Sequence, residues 1–339
     1  MGRAAPPLRR PASALSLRPL AFVGRHATKF MAAGVFVGFC APPLAALAKP
    51  LLAPALVIPL ALALVRLDWS AMASLRRRPA LITALVVFML GVSPMLVWAI
   101  TTPALSVGLP AKLREALILM SASSPIISNI AIALFVGLDA PLAAVVVVAS
   151  TALVPFTLPA LALALLNLEL AISLSEFMVR LGALVGGAFL IAGVVRRVVP
   201  KATLVAWREP IDGLAVLNLF IFALAIMDGV AAFSFERPGY ALLAVAMAFV
   251  FNLLLQAAGW IAFRGLGSVT ALTVALMAGN CNMGLVLVAL SGHVEVEVTA
   301  FFALAQVPMY TLPVLLQPMY RRARAGATDA ESRDAARSR

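Results

Sequence analysis

Apolar residues run in long blocks along this chain, and short polar or basic connections separate them. A helix rising 1.5 Å per residue needs about 20 apolar residues to cross the ~30 Å hydrocarbon core of a bilayer. Ten stretches approach that length: approximately 29–48, 50–67, 80–101, 112–136, 140–166, 172–195, 210–231, 239–263, 267–291 and 297–319. The pattern predicts an all-α polytopic membrane protein with ten transmembrane helices. Residues 1–27, rich in Arg, Pro and Ala, read as a disordered basic cytoplasmic arm, and the mixed-charge stretch 321–339 as a disordered cytoplasmic tail. The sixth stretch is the least regular of the ten, because Glu176 and Arg180 fall in its first two turns.

Two of the ten are interrupted at their centres. The fourth carries Ser121-Ala122-Ser123-Ser124-Pro125-Ile126-Ile127-Ser128-Asn129 and the ninth carries Ala278-Gly279-Asn280-Cys281-Asn282-Met283-Gly284-Leu285. Glycine weakens a helix by about 1 kcal/mol relative to alanine, and an asparagine side chain needs partners that hydrocarbon does not supply. Non-helical backbone at membrane depth survives only where protein buries it or it lines a wet cavity. The sequence therefore predicts two discontinuous helices whose polar centres face protein or water. Paired interruptions in the two halves of a chain point to a carrier binding site.

The halves echo each other in other ways. Pro155 and Pro159 of the fifth stretch answer Pro308 and Pro313 of the tenth, and the interval from Asn129 to Pro155 equals that from Asn282 to Pro308. Gly34/Gly38 and Gly182/Gly186 form small-xxx-small pairs in the first and sixth. Five crossings is an odd number, so the second half enters from the opposite side. The expectation is two inverted five-helix repeats, 28–166 and 167–320, with discontinuous crossing helices 4 and 9.

Composition agrees with a bilayer. The chain of 339 residues is 63% hydrophobic and 12% charged, against roughly 45–50% and 25% in soluble domains. Its net charge of +12 would suggest nucleic acid in a soluble protein, but the basic residues lie in short connections and tails, so no nucleic-acid partner is expected. With both termini cytoplasmic, only Lys49, Lys112, Arg114, Arg180 and Arg237 of the 26 basic residues fall outside. This is the positive-inside bias of an inner-membrane protein. Cys40 and Cys281 form neither a disulfide framework nor a metal-ligand spacing.

The candidate binding residues are Ser124, Ser128 and Asn129 from the fourth stretch and Asn280 and Asn282 from the ninth. Half-helix ends meeting there would offer N–H groups and carbonyls to an organic anion or amphipathic solute. Asn252 and Gln256, four apart in the eighth stretch, share a face and either wall the site or pack. Thr157 and Thr311 are expected to bond back onto their own helices beside the prolines. No acid lies at the middle of a stretch, so direct proton coupling has no evident carrier; Asp212 and Asp228, near the ends of the seventh, are the nearest candidates.

These motifs resemble the bile acid:sodium symporter family and its arsenite-permease relatives. The residues that carry the resemblance are Pro125-Ile126-Ile127-Ser128-Asn129 with Gly137-Leu138-Asp139, Ser150-Thr151, Pro155 and Pro159, Gly279-Asn280-Cys281-Asn282, and Phe302 to Pro308 followed by Pro318-Met319-Tyr320-Arg321-Arg322. The resemblance implies a panel domain of spans 1, 2, 6 and 7, a core domain of spans 3, 4, 5, 8, 9 and 10, alternating access, and often organic-anion substrates. It also implies a sodium site to which Ser128 and Asn129 would contribute. The other ligand positions depart from the pattern, falling on Met277 or Ala278, Cys281, Ala143, Val147 and a place near Met89. None of these side chains offers an oxygen, and the cofactor expectation is none, with Na+ carried only by the resemblance.

The sequence is thus read as a secondary active transporter of a small organic solute in the lipid bilayer, with no obligate protein partner evident. The rival reading is a non-transporting membrane sensor or scaffold derived from one. A membrane enzyme would need an acid or histidine beside a nucleophile, and none is placed so in the spans.

Overall fold

Prolines and glycines decide where the apolar blocks of this chain start, bend and stop. The computed structural model describes residues 18–67, 69, 78–166 and 172–326, and these are helical apart from turns, connections and one isolated β-bridge. In chain order the helices are α1 (Arg18–Arg25), α2 (Ala27–Cys40), α3 (Pro42–Arg66), α4 (Pro79–Val107), α5 (Ala111–Ala122), α6 (Ser128–Val136), α7 (Ala140–Leu166), α8 (Leu174–Val198), α9 (Lys201–Ala206), α10 (Arg208–Glu236), α11 (Pro238–Leu266), α12 (Ser268–Gly279), α13 (Met283–Ala289), α14 (Val296–Leu315) and α15 (317–326). Among the described residues seven of them, α3, α4, α7, α8, α10, α11 and α14, are long and apolar enough to cross a membrane.

Several boundaries differ from the expected ones, each for a local reason. The first two stretches divide at Ala41, not near residue 49. Ala41 leaves the helical region (φ −127°, ψ 71°) because it precedes Pro42, whose ring disfavours α geometry in the residue before it. Lys49-Pro50 is absorbed as one tight turn within α3. In α4, Phe88–Val92 widens into a π-helical turn just before Pro94, which has no N–H to give to the ladder. The arm expected over 1–27 is helical in Arg18–Arg25; residues 1–17 lie outside the described residues, as do 327–339 of the expected tail. Glu176 and Arg180 mark a helix start, not an interruption: Ser173 Oγ accepts the Glu176 N–H, and Glu176 pairs with Arg180 at 2.6 Å.

α10 packs on α1, α2 and α3, and α3 also on α8, while α5 packs on α4, α7 and α14, and α11 on α12 and α14. α13 touches members of both groups, α3 and α8 on one side and α5 and α14 on the other. Apolar contact holds α3 to α8 through Leu60, Ala61, Leu64 and Val65 against Ala188 and Ala192.

The two glycine pairs do different work. A Cβ on Gly34 would stand 2.8 Å from Phe220 O, and one on Gly38 2.7 Å from Leu224 O, so α2 and α10 approach backbone to backbone. Nothing lies within 4 Å of the same positions on Gly182 and Gly186. Gly38→Val is accordingly expected to lower stability by about 1–3 kcal/mol through overpacking. Gly186→Ala should leave stability unchanged or raise it slightly, since alanine favours the helix. Thermal unfolding in detergent checks both, and equal midpoints for the two variants would contradict the packing described.

Candidate functional site

The site begins where two helices stop. α5 ends at Ala122 because Ser123 is extended (φ −78°, ψ 158°) ahead of Pro125, and the chain re-enters a helix at Ser128. α12 ends at Gly279; Asn280 (φ −103°, ψ 83°) and Asn282 (φ −86°, ψ 70°) carry the backbone to α13. The two breaks lie side by side and antiparallel, with Pro125 opposite Cys281 in a β-bridge. The Ile126 N–H donates to Asn280 O at 2.9 Å and the Asn282 N–H to Ser124 O at 2.7 Å. Each break thereby satisfies part of the other's unpaired backbone, as buried polar groups require.

Side chains supply much of the rest. Asn129 Nδ2 donates to Asn280 O at 3.1 Å, giving that carbonyl a second donor. Asn252 Nδ2 donates to Gly279 O at 2.7 Å and to Asn280 Oδ1 at 3.3 Å. Gln256 Nε2 donates to Asn252 Oδ1 at 2.7 Å, and the Tyr320 hydroxyl donates to Gln256 Oε1 at 2.8 Å. Only one arrangement of hydrogens fits this chain. Gly279 O only accepts, so the amide nitrogen of Asn252 must face it. The oxygen of Asn252 then faces Gln256 Nε2, which turns Gln256 Oε1 toward Tyr320 and obliges the phenol to donate.

The candidate residues from the sequence fall into three situations. Ser124 is fully buried, and its Oγ accepts a 3.3 Å hydrogen bond from Thr151. Asn129, Asn280, Asn252 and Gln256 belong to the buried network, which puts the eighth stretch behind the break and not on an open wall. Ser128 is half-buried at the start of α6. Asn282 alone among them lines a small crevice beside the breaks, together with Ile126, Cys281, Gly284 and Met283. Its far side is Leu56 of α3, Leu219 and Phe222 of α10, and Gln306, Met309 and Tyr310 of α14. Gln306 and Tyr310 were not among the candidates. The available signal was a glutamine and a tyrosine flanking Pro308 in the tenth stretch.

Two polar atoms in the network are buried without a hydrogen-bond partner, the acceptor Asn129 Oδ1 and the donor Asn280 Nδ2. Such atoms cost free energy and are rare in native proteins unless function uses them. The acids named earlier are engaged elsewhere: Asp212 pairs with Arg66, and Asp228 with Lys49 at 2.8 Å. Thr157 and Thr311 donate to the carbonyls four residues back, as expected beside the prolines. Cys281 donates its S–H to Ala278 O at 3.4 Å. Among the described residues no group of His, Cys, Asp and Glu is arranged to hold a metal ion.

A search of curated proteins finds no match to this chain. A model of the sodium bile acid symporter family matches residues 53–235, which is more than half of the chain and takes in the fourth-stretch break, from the middle of α3 through α10. The broken apolar helices, the polar centre between them and that match have one conclusion: the chain is a multi-pass membrane protein that belongs to the sodium bile acid symporter family.

Proposed function

We propose that this protein is a secondary transporter that moves an organic anion or amphipathic solute across the inner membrane by alternating access. The observation that carries the reading is the meeting of the two helix breaks, Ser123–Ile127 and Asn280–Asn282, beside a crevice that separates two groups of helices. In this reading α2, α3, α8 and α10 form the panel, and α4 to α7 with α11 to α14 form the core, giving ten crossings in two inverted halves. The equal intervals Asn129–Pro155 and Asn282–Pro308 support that count, as does the antiparallel pairing of the breaks. The crevice, about 20 Å³, has room for about one water as it stands, so a solute would enter it only as the two groups of helices part. Leu56, Ile126, Leu219, Phe222, Met283 and Met309 would take an apolar body, and Asn282, Gln306 and Tyr310 would take a polar end. Rocking of the panel against the core would expose that crevice to one side and then the other.

The test is uptake of a pool of organic anions and neutral amphipathic solutes into proteoliposomes. The expected result is saturable uptake above empty liposomes, reduced at least tenfold by Asn282→Ala, which deletes a polar group from the crevice. Uptake no greater than in empty liposomes, across the whole pool, would count for the sensor or scaffold reading instead.

A further inference from the structure

The family's description implies a sodium ion, and the oxygens at the breaks do not fit one. A hard cation needs several oxygens with lone pairs turned toward it. Here Asn280 O already accepts two N–H groups, from Ile126 and Asn129. Gly279 O and Asn280 Oδ1 both face the Asn252 amide nitrogen. Ser124 O faces the Asn282 N–H, and Ser124 Oγ accepts from Thr151. Around them Ala143, Val147, Met277 and Ala278 are buried and apolar, and Cys281 is buried with its S–H on Ala278 O. Among the described residues the buried side-chain oxygens without a partner are Ser93 Oγ, Asn129 Oδ1 and Ser150 Oγ, which with half-buried Ser128 are all neutral and too few for such an ion.

We propose that the chain of neutral amides takes the place of a bound cation in this transporter. It runs from Tyr320 through Gln256 and Asn252 to Gly279 O and Asn280 Oδ1, and the solute then moves without a sodium gradient. The inference rests on the transporter reading above. A carbonyl cluster at a helix end carries partial negative charge. In the sodium-coupled case a cation balances it; here the Asn252 and Asn129 Nδ2 groups do so, held in register by hydrogen bonds whose direction is fixed. Tyr320 and Gln256 act as positioning residues. They touch neither crevice nor solute, yet they determine which end of the Asn252 amide meets the break. The anchor lies outside the spans expected from hydropathy, in α15, and is fully buried there.

The test uses the purified full chain in detergent, with thermal unfolding followed as sodium, potassium or choline chloride is raised at constant ionic strength. The expected result is coincident midpoints in the three salts. Asn252→Asp places carboxylate oxygens against the Gly279 and Asn280 oxygens. Its midpoint should fall by about 5–10 °C in choline and recover either with sodium, in a saturable way, or on acidification. A saturable, sodium-specific rise in the unsubstituted chain overturns the proposal. So does an Asn252→Asp chain as stable as the unsubstituted one in every salt and at every pH. If the variant does not fold, the salt series on the unsubstituted chain still decides. This readout needs no solute, so it separates failure of the proposal from failure of the transporter reading.

Discussion

Valine in place of Gly279 is expected to lower the stability and yield of the folded protein sharply. A Cβ at this position would lie 2.5 Å from Asn252 Oδ1, 2.6 Å from Gln256 Cγ and 2.9 Å from Asn252 O. The first two could be relieved by moving side chains. The third is backbone of α11, and α11 packs closely on α12. Relief therefore means either separating two helices or turning Asn252 away from Gly279 O. The first opens a close-packed interface, and the second orphans a buried carbonyl. Together these costs come to about 3–5 kcal/mol, near the upper end of what single substitutions do. Size-exclusion profiles and thermal midpoints of detergent-solubilised protein check this. Gly284→Ala is the control: the atoms its Cβ would meet are the ring of Phe222 and Leu56 Cδ1, the far ends of side chains that can swing aside. A Gly279→Val chain as abundant and stable as Gly284→Ala would show that α11 and α12 are not packed as described.

Asn129→Ala has the largest expected effect on transport with the fold retained. The substitution removes the Nδ2 donor to Asn280 O, but the Ile126 N–H still serves that oxygen. No carbonyl is left bare, so stability should drop by only about 1 kcal/mol, the net worth of a typical hydrogen bond. The unpartnered acceptor Asn129 Oδ1 disappears as well. Asn129 is buried behind the crevice and acts through Asn280 O, whose partial charge its amide balances, so uptake should fall about 100-fold or more, each 1.4 kcal/mol lost being a factor of ten. Asn129→Asp, which would set a buried carboxylate oxygen against Asn280 O, should recover none of the loss. Full uptake by Asn129→Ala in protein of normal yield would remove Asn129 from the site.

How much of this was legible in the sequence depends on the range of the interaction concerned. The breaks are local events: Ser-Pro in one apolar run and Gly-Asn in another each carry their own cost, so both could be placed to within a few residues. Thr157 and Thr311 were equally readable, because a threonine's reach to the preceding turn is a property of the helix itself. The register of the first two helices was not, since two candidate prolines, Pro42 and Pro50, stand eight residues apart; the chain breaks before the first and absorbs the second in a tight turn. Gly182 and Gly186 matched Gly34 and Gly38 in spacing, but spacing does not say whether another backbone lies opposite. Sequence alone does not decide the roles of Asn252 and Gln256, because their partners, Gly279 and Tyr320, are 27 and 64 residues away. Gln306 and Tyr310 line the crevice just beyond Ala305, where the regular helix of α14 is interrupted ahead of Pro308, which has no N–H for the ladder.

The fixed hydrogen order behind the break has an electrical consequence. A protein that interrupts its own helices in mid-membrane risks opening a leak for protons, because chains of hydroxyls and waters pass them along by exchanging which atom donates. The path from Tyr320 to Gly279 passes through two carboxamides and ends on a carbonyl, and none of these groups gains or sheds a proton at physiological pH. Reversing its polarity would turn the Asn252 oxygen onto the Gly279 oxygen. The stretch therefore joins α15 to the break mechanically, and along it no group can relay a proton by exchanging donor for acceptor.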